Sequence, residues 1–208
     1  MTKFIQIHPQ NPQQRLINKV VDIVKQGGVI VYPTDSGYAL GCHIGDKKAL
    51  ERIRDIRKLD EKHNFTLVCR DLSELGVYAK VDNIAYRALR NHTPGPYTFI
   101  LLATSDVPRR LKQSKRKTIG LRVPDNMITK ALLSSLGEPL MSVTLILPGE
   151  RMPLLDPYEI NNLLSKRVDM IIDGGFCGIE PTSVIDMSED EPKILREGAG
   201  SVEDFEVK

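Results

Sequence analysis

Residues 29–41 have the sequence VIVYPTDSGYALG, in which an apolar run is followed by hydroxyl, carboxylate and glycine residues. The run at 29–32 predicts a buried strand, and the proline, aspartate and glycines of 33–41 predict a loop. Loops at strand ends often carry ligand-binding groups, but local turn hydrogen bonds would use the same residues. The stretch is therefore a candidate site beside a buried strand, with both interpretations open.

The sequence on either side alternates between predicted helices and strands. Residues 11–26 predict a helix with Asn11 as N-cap, Pro12 at its first position and Gly27 at its end. Asp46 opens a second helix, and Asp71 with Glu74 forms a capping-box pattern. Helices are also predicted over 125–136 and 156–166, and strands over 65–69, 99–102, 119–123, 140–147, 168–173, 183–187 and 193–196. This alternation predicts an α/β fold, and the short spacing of the last strands indicates a mixed sheet.

Composition fits an ordinary globular protein of 208 residues, 41% hydrophobic and 27% charged. We expect one domain over residues 1–208, with a loosely held acidic tail after about 200. Apolar runs stay well short of the roughly 18 residues of a membrane helix, and the N-terminus lacks a signal-peptide pattern, which predicts a cytoplasmic protein without a membrane partner. Three cysteines argue against a disulfide framework. A net charge of +2 does not indicate any class of partner.

Three further segments combine turns with polar groups. The sequence TPGPYT at 93–98 predicts a stiff turn, whose simplest role is a rigid connection. Arg122 lies within a predicted apolar strand, so either a protein carboxylate or an anionic ligand must pair with it. Glycines and hydroxyls at 173–183, followed by Arg196, can form turns or bind phosphate oxygens.

A basic run places six cations in nine residues: Arg109, Arg110, Lys112, Lys115, Arg116 and Lys117. Such a run can neutralise RNA phosphates, but a solvated surface segment has the same composition. It also lacks interleaved aromatic residues for base stacking.

Common signatures of other enzymes are missing from the sequence. There is no GxGxxG or Walker-type phosphate loop, and no GxSxG elbow of a serine hydrolase. The four histidines are scattered without metal-ligand spacing, so no metal site built from protein ligands alone is predicted.

Five segments in their order along the chain resemble the YrdC/YciO family, and the YciO branch in particular. These are YPTDSGYALG at 32–41, TPGPYTFIL at 93–101, TIGLRVP at 118–124, PTSVIDM at 181–187 and ILREGAG at 194–200. The similarity extends from Asn11 to about Gly200. It implies a twisted mixed sheet with flanking helices and a large, concave, basic face.

The resemblance also implies an activity. Members of the YrdC type form threonylcarbamoyl-adenylate and pyrophosphate from L-threonine, bicarbonate and ATP, for the modification of adenosine 37 in tRNA. Mg²⁺ bridging the ATP phosphates is the expected ion. Binding of double-stranded RNA is attributed to the family as well.

Residue roles follow from the resemblance position by position. Threonine-binding roles fall on Thr34, Arg122 and Thr182, with Arg122 expected to hold the carboxylate. Nucleotide-binding roles fall on Asn64, Thr118, Ser142 and Arg196. No residue is assigned as a catalytic group.

Two family signatures are altered in this chain. A Lys-x-Arg signature aligns with Arg57-Lys58-Leu59, and a Ser-x-Asn signature aligns with Ser142-Val143-Thr144. Three functions therefore remain open: a synthase, a paralogue with weak or different nucleotide chemistry such as adenylate hydrolysis, and an RNA-binding protein without the chemistry. The retained Thr34, Arg122, Ser142 and Arg196 favour a small-molecule pocket.

Overall fold

The fold is built on one mixed sheet, seen in a computed structural model that describes residues 2–60, 63, 65–113 and 115–206. The strands within these residues are β1 (Lys3–Gln6), β2 (Ile30–Thr34), β3 (Gly37–His43), β4 (Thr66–Val68), β5 (Tyr97–Leu102), β6 (Thr118–Arg122), β7 (Leu140–Thr144), β8 (Met170–Asp173), β9 (Ser183–Asp186) and β10 (Lys193–Arg196). The helices are α1 (Gln14–Lys25), α2 (Lys47–Arg57), α3 (Leu72–Tyr78), α4 (Asn83–His92), α5 (Met127–Leu136) and α6 (Pro157–Leu164). Short 3-10 turns lie at Arg109–Leu111 and Glu203–Phe205.

The strand order confirms the predicted mixed α/β sheet. It runs β1-β8-β2-β3-β7-β4-β6-β5-β9-β10. The pairs β1/β8, β2/β8, β4/β6 and β5/β9 are parallel, and the other five described pairs are antiparallel. Strands from the whole length of the chain therefore contribute to one sheet.

The helices cover the two faces of the sheet unequally. On one face, α1 and α5 pack against each other and over β2, burying residues such as Val20, Leu132 and Ile30. The larger core on the opposite face includes apolar side chains of α2, α3, α4 and α6. The helices α1 and α5 lie toward the β8–β2–β3 side of the sheet. The part of the same sheet face formed by β7, β4, β6, β5 and β9 therefore borders an open cleft.

Helix caps follow the sequence closely. The Asp46 carboxylate accepts from Ala49 N at 2.8 Å and begins α2. Asp71 accepts from Glu74 N at 2.9 Å, and the Glu74 carboxylate accepts from Arg70 N at 2.6 Å, which is a reciprocal arrangement of the capping-box kind. Gly137 ends α5 with φ +79°, a conformation that glycine adopts without the usual steric cost.

Several local predictions are wrong. The loop predicted over 33–41 is confined to residues 35–36, because the residues on either side form the β2–β3 hairpin. The side chains of this hairpin are buried on both faces of the sheet, so tertiary burial outweighs the turn-forming residues. Asn11 does not cap α1, which starts at Gln14 after an N-cap residue, Gln13, whose side chain makes no capping bond. The sequence analysis also missed β1 and α4.

The C-terminal segment is held more tightly than the sequence analysis expects. Phe205 is 6% exposed and its ring contacts those of His92, Tyr97 and Phe99. The Tyr97 hydroxyl donates to Ser201 O at 2.9 Å. The acidic residues therefore flank an aromatic side chain that anchors the segment up to residue 206.

Candidate active site

A cleft of about 320 Å³ opens on the sheet face that α1 and α5 leave uncovered. Its floor comes from alternate residues of five strands, since successive side chains of a strand point to opposite faces. These are Thr66 and Val68 on β4, Thr98 and Ile100 on β5, Gly120 and Arg122 on β6, Ser142 and Thr144 on β7, and Val184 on β9, with Thr182 immediately before β9. A Cβ at Gly120 would lie 2.9 Å from Thr66 Oγ1, so glycine keeps the centre of the floor open.

The charged side chains lining the cleft are cationic. Arg122 is buried, Arg57 is half-buried and Arg196 lies exposed at the rim. Among the described residues that line the cleft there is no aspartate or glutamate. Burial lowers the pKa of Arg57, and partial burial together with the charge of Arg122 lowers that of Arg196. Such a lining suits an anionic ligand.

Arg122 pairs with a protein carboxylate, as one of the two sequence-based alternatives requires. Its Nη2 donates to Asp35 Oδ1, and the second oxygen of Asp35 accepts from Asp125 N at 2.9 Å. The side chains of Arg122 and Asp35 are 7% and 12% exposed. Arg122 Nε is buried and has no hydrogen-bond partner in the described part of the chain. The pair therefore fixes the guanidinium without using all of its donors.

Arg196 is fixed against Thr182. Its Nε donates to Thr182 O at 2.8 Å, and its Nη2 donates to Thr182 Oγ1 at 3.0 Å. Thr182 Oγ1 lies 2.9 Å from Thr98 Oγ1 on the neighbouring strand. Two predicted ligand residues and one that the sequence analysis did not identify, Thr98, thus form a single chain of polar contacts.

The predicted hydroxyl residues Thr34 and Ser142 have different surroundings. Thr34 Oγ1 donates to Gly37 O at 2.7 Å and accepts from Ser36 N at 3.2 Å, so its hydroxyl stabilises the β2–β3 turn. Ser142 Oγ donates to Leu40 O at 3.3 Å and lies 2.7 Å from the Tyr32 hydroxyl. Both side chains line the cleft.

Of the two other predicted nucleotide residues, Thr118 does not line the cleft and Asn64 lies outside the described residues. Thr118 is on the same face of β6 as Gly120 and Arg122, but it lies beyond the residues that line the cleft. Their predicted roles remain predictions.

The altered signature positions lie in different parts of the structure. Arg57 and Thr144 both line the cleft, whereas Leu59 packs partly buried against the core of the opposite face. His63, which the sequence analysis left unassigned, also lines the cleft. Burial, and then the charge of Arg57, lowers the pKa of its imidazole from the usual value.

The basic run is partly committed to contacts within the protein. Arg116 pairs with Asp186 at 2.8 Å and with Glu189 at 3.3 Å. Arg110 donates to the carbonyl groups of Ile44 and Gly45, and Lys112 to that of Thr104. The remaining members, Arg109, Lys115 and Lys117, are exposed. Arg109, Lys112, Gln113 and Lys117 line a second, shallow concavity.

The described residues offer neither a cluster of metal ligands nor a membrane-spanning helix. Within those residues, no group of three or more His, Cys, Asp or Glu side chains is placed to hold a metal ion. None of the helices described has both the length and the apolar character needed to cross a membrane.

This chain is similar over nearly its whole length to known proteins. The Sua5_yciO_yrdC family model, described as "Telomere recombination", matches residues 22–198. The uncharacterized protein YciO of Escherichia coli (strain K12) is 61% identical over 205 residues, covering 99% of this chain and 100% of YciO. Its crystal structure superposes with a TM-score of 0.96.

Two more distant relatives are a putative synthase and a protein solved with L-threonine bound. A putative threonylcarbamoyl-AMP synthase of Methanocaldococcus jannaschii is 27% identical over 201 residues, covering 94% of this chain and 93% of the relative. The structure of P. abyssi Sua5 complexed with L-threonine has a TM-score of 0.89 at 23% identity. It covers 98% of this chain and 59% of that one, and the likeness establishes a shared fold.

Proposed function

This chain belongs to the Sua5/YciO/YrdC family, and from that premise we propose that it forms threonylcarbamoyl-adenylate from L-threonine, bicarbonate and ATP. The observation that carries the proposal is the cleft with three arginines and, among its described lining residues, no carboxylate. A reaction that brings together a carboxylate, a carbamate and a triphosphate requires such a lining. The M. jannaschii relative and the threonine complex of Sua5 support the same substrate class.

The proposed roles follow from geometry and charge. Arg122 binds the threonine carboxylate, because its guanidinium is buried, held by Asp35 and suited to bidentate recognition. Arg57 and Arg196 bind the phosphates from the other parts of the cleft. The hydroxyls of Thr34, Ser142 and Thr182 orient the two substrates.

The chemistry needs no covalent enzyme intermediate. The threonine amine combines with bicarbonate to give a carbamate and water. A carbamate oxygen then attacks the α-phosphorus of ATP, the bond to the β-phosphate bridging oxygen breaks, and pyrophosphate leaves. The protein contributes positioning and stabilisation of the developing negative charge.

Mg²⁺ would arrive with ATP. The described lining offers hydroxyl oxygens but no carboxylate, so the fit is to an ion held by phosphate oxygens and water, with Ser142 and Thr144 as nearby oxygen atoms. The ion would neutralise phosphate charge.

A direct assay tests the proposal. Purified protein is incubated with ATP, MgCl₂, radiolabelled bicarbonate and L-threonine, and the products are separated by chromatography. Threonine-dependent formation of threonylcarbamoyl-adenylate and pyrophosphate is the expected result. If chemically prepared adenylate is instead hydrolysed and none is formed, the paralogue with hydrolytic chemistry replaces the synthase.

We propose RNA binding as a second candidate function, because the exposed part of the basic run borders a concave surface. Changing Arg109, Lys115 and Lys117 to glutamine is expected to weaken binding of double-stranded RNA. The slope of log affinity against log salt should fall by about 1 per cation removed. The measurement is fluorescence anisotropy over a range of salt concentrations.

The matched control removes three exposed cations of α1, Arg15, Lys19 and Lys25. If the slope of log affinity against log salt falls equally in both triple variants, RNA binding depends only on the overall charge of the protein. Unchanged affinity of the first variant would remove the basic run from RNA binding.

A further inference from the structure

The Tyr32 side chain reaches the cleft floor from two strands away. Tyr32 lies on β2 and is fully buried, Gly41 lies on β3, and Ser142 lies on β7 next to Gly41 in the antiparallel register. A Cβ at Gly41 would lie 2.8 Å from Tyr32 Cε1. The tyrosine ring therefore crosses β3 over the glycine, and its hydroxyl lies 2.7 Å from Ser142 Oγ.

The direction of this hydrogen bond follows from the number of donors and acceptors. Among the described residues, the Tyr32 hydroxyl has one hydrogen-bond partner, Ser142 Oγ. If Ser142 donated to Tyr32, the phenolic proton would be buried without an acceptor, which is costly. If Tyr32 donates, both groups are satisfied, because Ser142 can donate to Leu40 O at 3.3 Å.

The Tyr32 hydroxyl remains protonated at physiological pH. Burial raises its pKa to about 12, and the hydrogen bond with Ser142 lowers it only in part. Tyr32 is thus a permanent donor. The hydrogen bond from Ser142 Oγ to Leu40 O is long, at 3.3 Å, and Leu40 is already paired with Val143 in the sheet. The serine proton is therefore weakly held.

We infer that Tyr32 is a positioning residue that donates to Ser142 Oγ and thereby reserves the Ser142 proton for an anionic ligand in the cleft. Ser142 then acts as a donor toward the ligand, as a phosphate or carboxylate oxygen requires. The identity of that ligand rests on the proposed function, whereas the direction of the Tyr32–Ser142 bond does not.

The first test measures stability and needs no ligand. Tyr32→Phe, Ser142→Ala and the double variant are unfolded in urea. In the wild-type background, Tyr32→Phe is expected to lower the midpoint. In the Ser142→Ala background it is expected to raise the midpoint, because it removes a buried donor that has lost its acceptor. An equal decrease in both backgrounds, or an increase already in the wild type, would overturn the inferred direction.

The second test measures binding of L-threonine and of ATP with Mg²⁺ by calorimetry. For the ligand that Ser142→Ala weakens, Tyr32→Phe is expected to weaken binding about 3- to 10-fold, and to add nothing once Ser142 is alanine. Full affinity in Tyr32→Phe would overturn the positioning role.

Tyr97→Phe is the matched control, since its buried hydroxyl donates to Ser201 O at 2.9 Å and its side chain is not part of the cleft lining. It should lower stability without changing affinity. If the wild type binds neither ligand, the proposed function fails, and the sign of the urea shifts decides the inference by itself.

Discussion

Replacing Arg122 by alanine is expected to weaken L-threonine binding about 10- to 150-fold, because a hydrogen bond to a charged group contributes about 1.5–3 kcal/mol. Threonine binding should weaken more than it would on removal of an exposed cation, because the Arg122 guanidinium is buried and oriented by Asp35. Arg122→Lys should recover only part of the affinity, because a lysine cannot reproduce the planar, bidentate geometry. Calorimetric titration of the folded variants with L-threonine measures both effects.

Stability has to be separated from binding in this experiment. Removing one partner of a buried ion pair costs about 3–5 kcal/mol, because the other charge is left unpaired. Asp35 would be that charge, as its side chain is 12% exposed. Combining Arg122→Ala with Asp35→Asn removes the stranded carboxylate, so the double variant is expected to be more stable than Arg122→Ala and to bind threonine equally weakly.

Arg52→Ala is the control for the loss of an arginine–aspartate pair, in this case a more exposed one with both side chains 40% exposed. Arg52 donates to Asp169 Oδ2 at 2.7 Å, and that carboxylate also accepts from Val29 N, just as Asp35 accepts from a backbone amide. Arg52 lies on α2 away from the cleft lining. Its loss should reduce stability and leave threonine affinity unchanged. Wild-type affinity in a folded Arg122→Ala protein would remove Arg122 from the binding site.

The sequence is most informative where a local signal determines structure. The caps at Asp46 and Asp71 involve contacts within a few residues, and these predictions are confirmed. The loop prediction for residues 33–41 was wrong because burial on both faces of the sheet outweighs the turn-forming residues. That burial is a property of the whole sheet. Local composition does not contain that information.

In the cleft, too, some residues are identifiable from local sequence and others depend on the whole sheet. Arg122 is identifiable from sequence because a charge in an apolar strand needs a partner, and the structure provides Asp35. The contacts Tyr32–Ser142 and Thr98–Thr182 connect residues 110 and 84 positions apart, so they depend on strand order and register. Arg57, His63 and Thr66 line the cleft for the same reason. Polar residues at alternate positions of otherwise apolar strands were the available signal for Thr66 and Thr98.

Restoring the altered signatures should have the second large effect. The variant Leu59→Arg with Thr144→Asn is expected to increase formation of threonylcarbamoyl-adenylate relative to the unaltered chain. A residue that stabilises charge in a phosphoryl-transfer transition state can contribute on the order of 10³ in rate, which sets the upper end of the gain. Asparagine at 144, which lines the cleft, should contribute about 10-fold or more by itself if its amide bonds a charged oxygen.

Position 59, unlike position 144, does not line the cleft. Leu59 follows the end of α2, its amide donates to Arg54 O at 3.0 Å, and its side chain packs against the core away from the cleft. Arg57, two residues earlier, is therefore the cation that this segment contributes to the cleft lining. An arginine at 59 is expected to leave this packing with little loss, because the leucine is only partly buried, and to turn toward the cleft as a second guanidinium beside Arg57.

The rates are measured with ATP, bicarbonate and L-threonine under identical conditions for the wild type, the two single variants and the double variant. Leu163→Arg adds the same charge on an exposed face of α6 and should leave the rate unchanged. A double variant that is folded and binds ATP but forms no more adenylate than the wild type would argue against a synthase with two weakened signatures. The cleft would then belong to a paralogue whose arginines hold the same kinds of anion for a different nucleotide reaction.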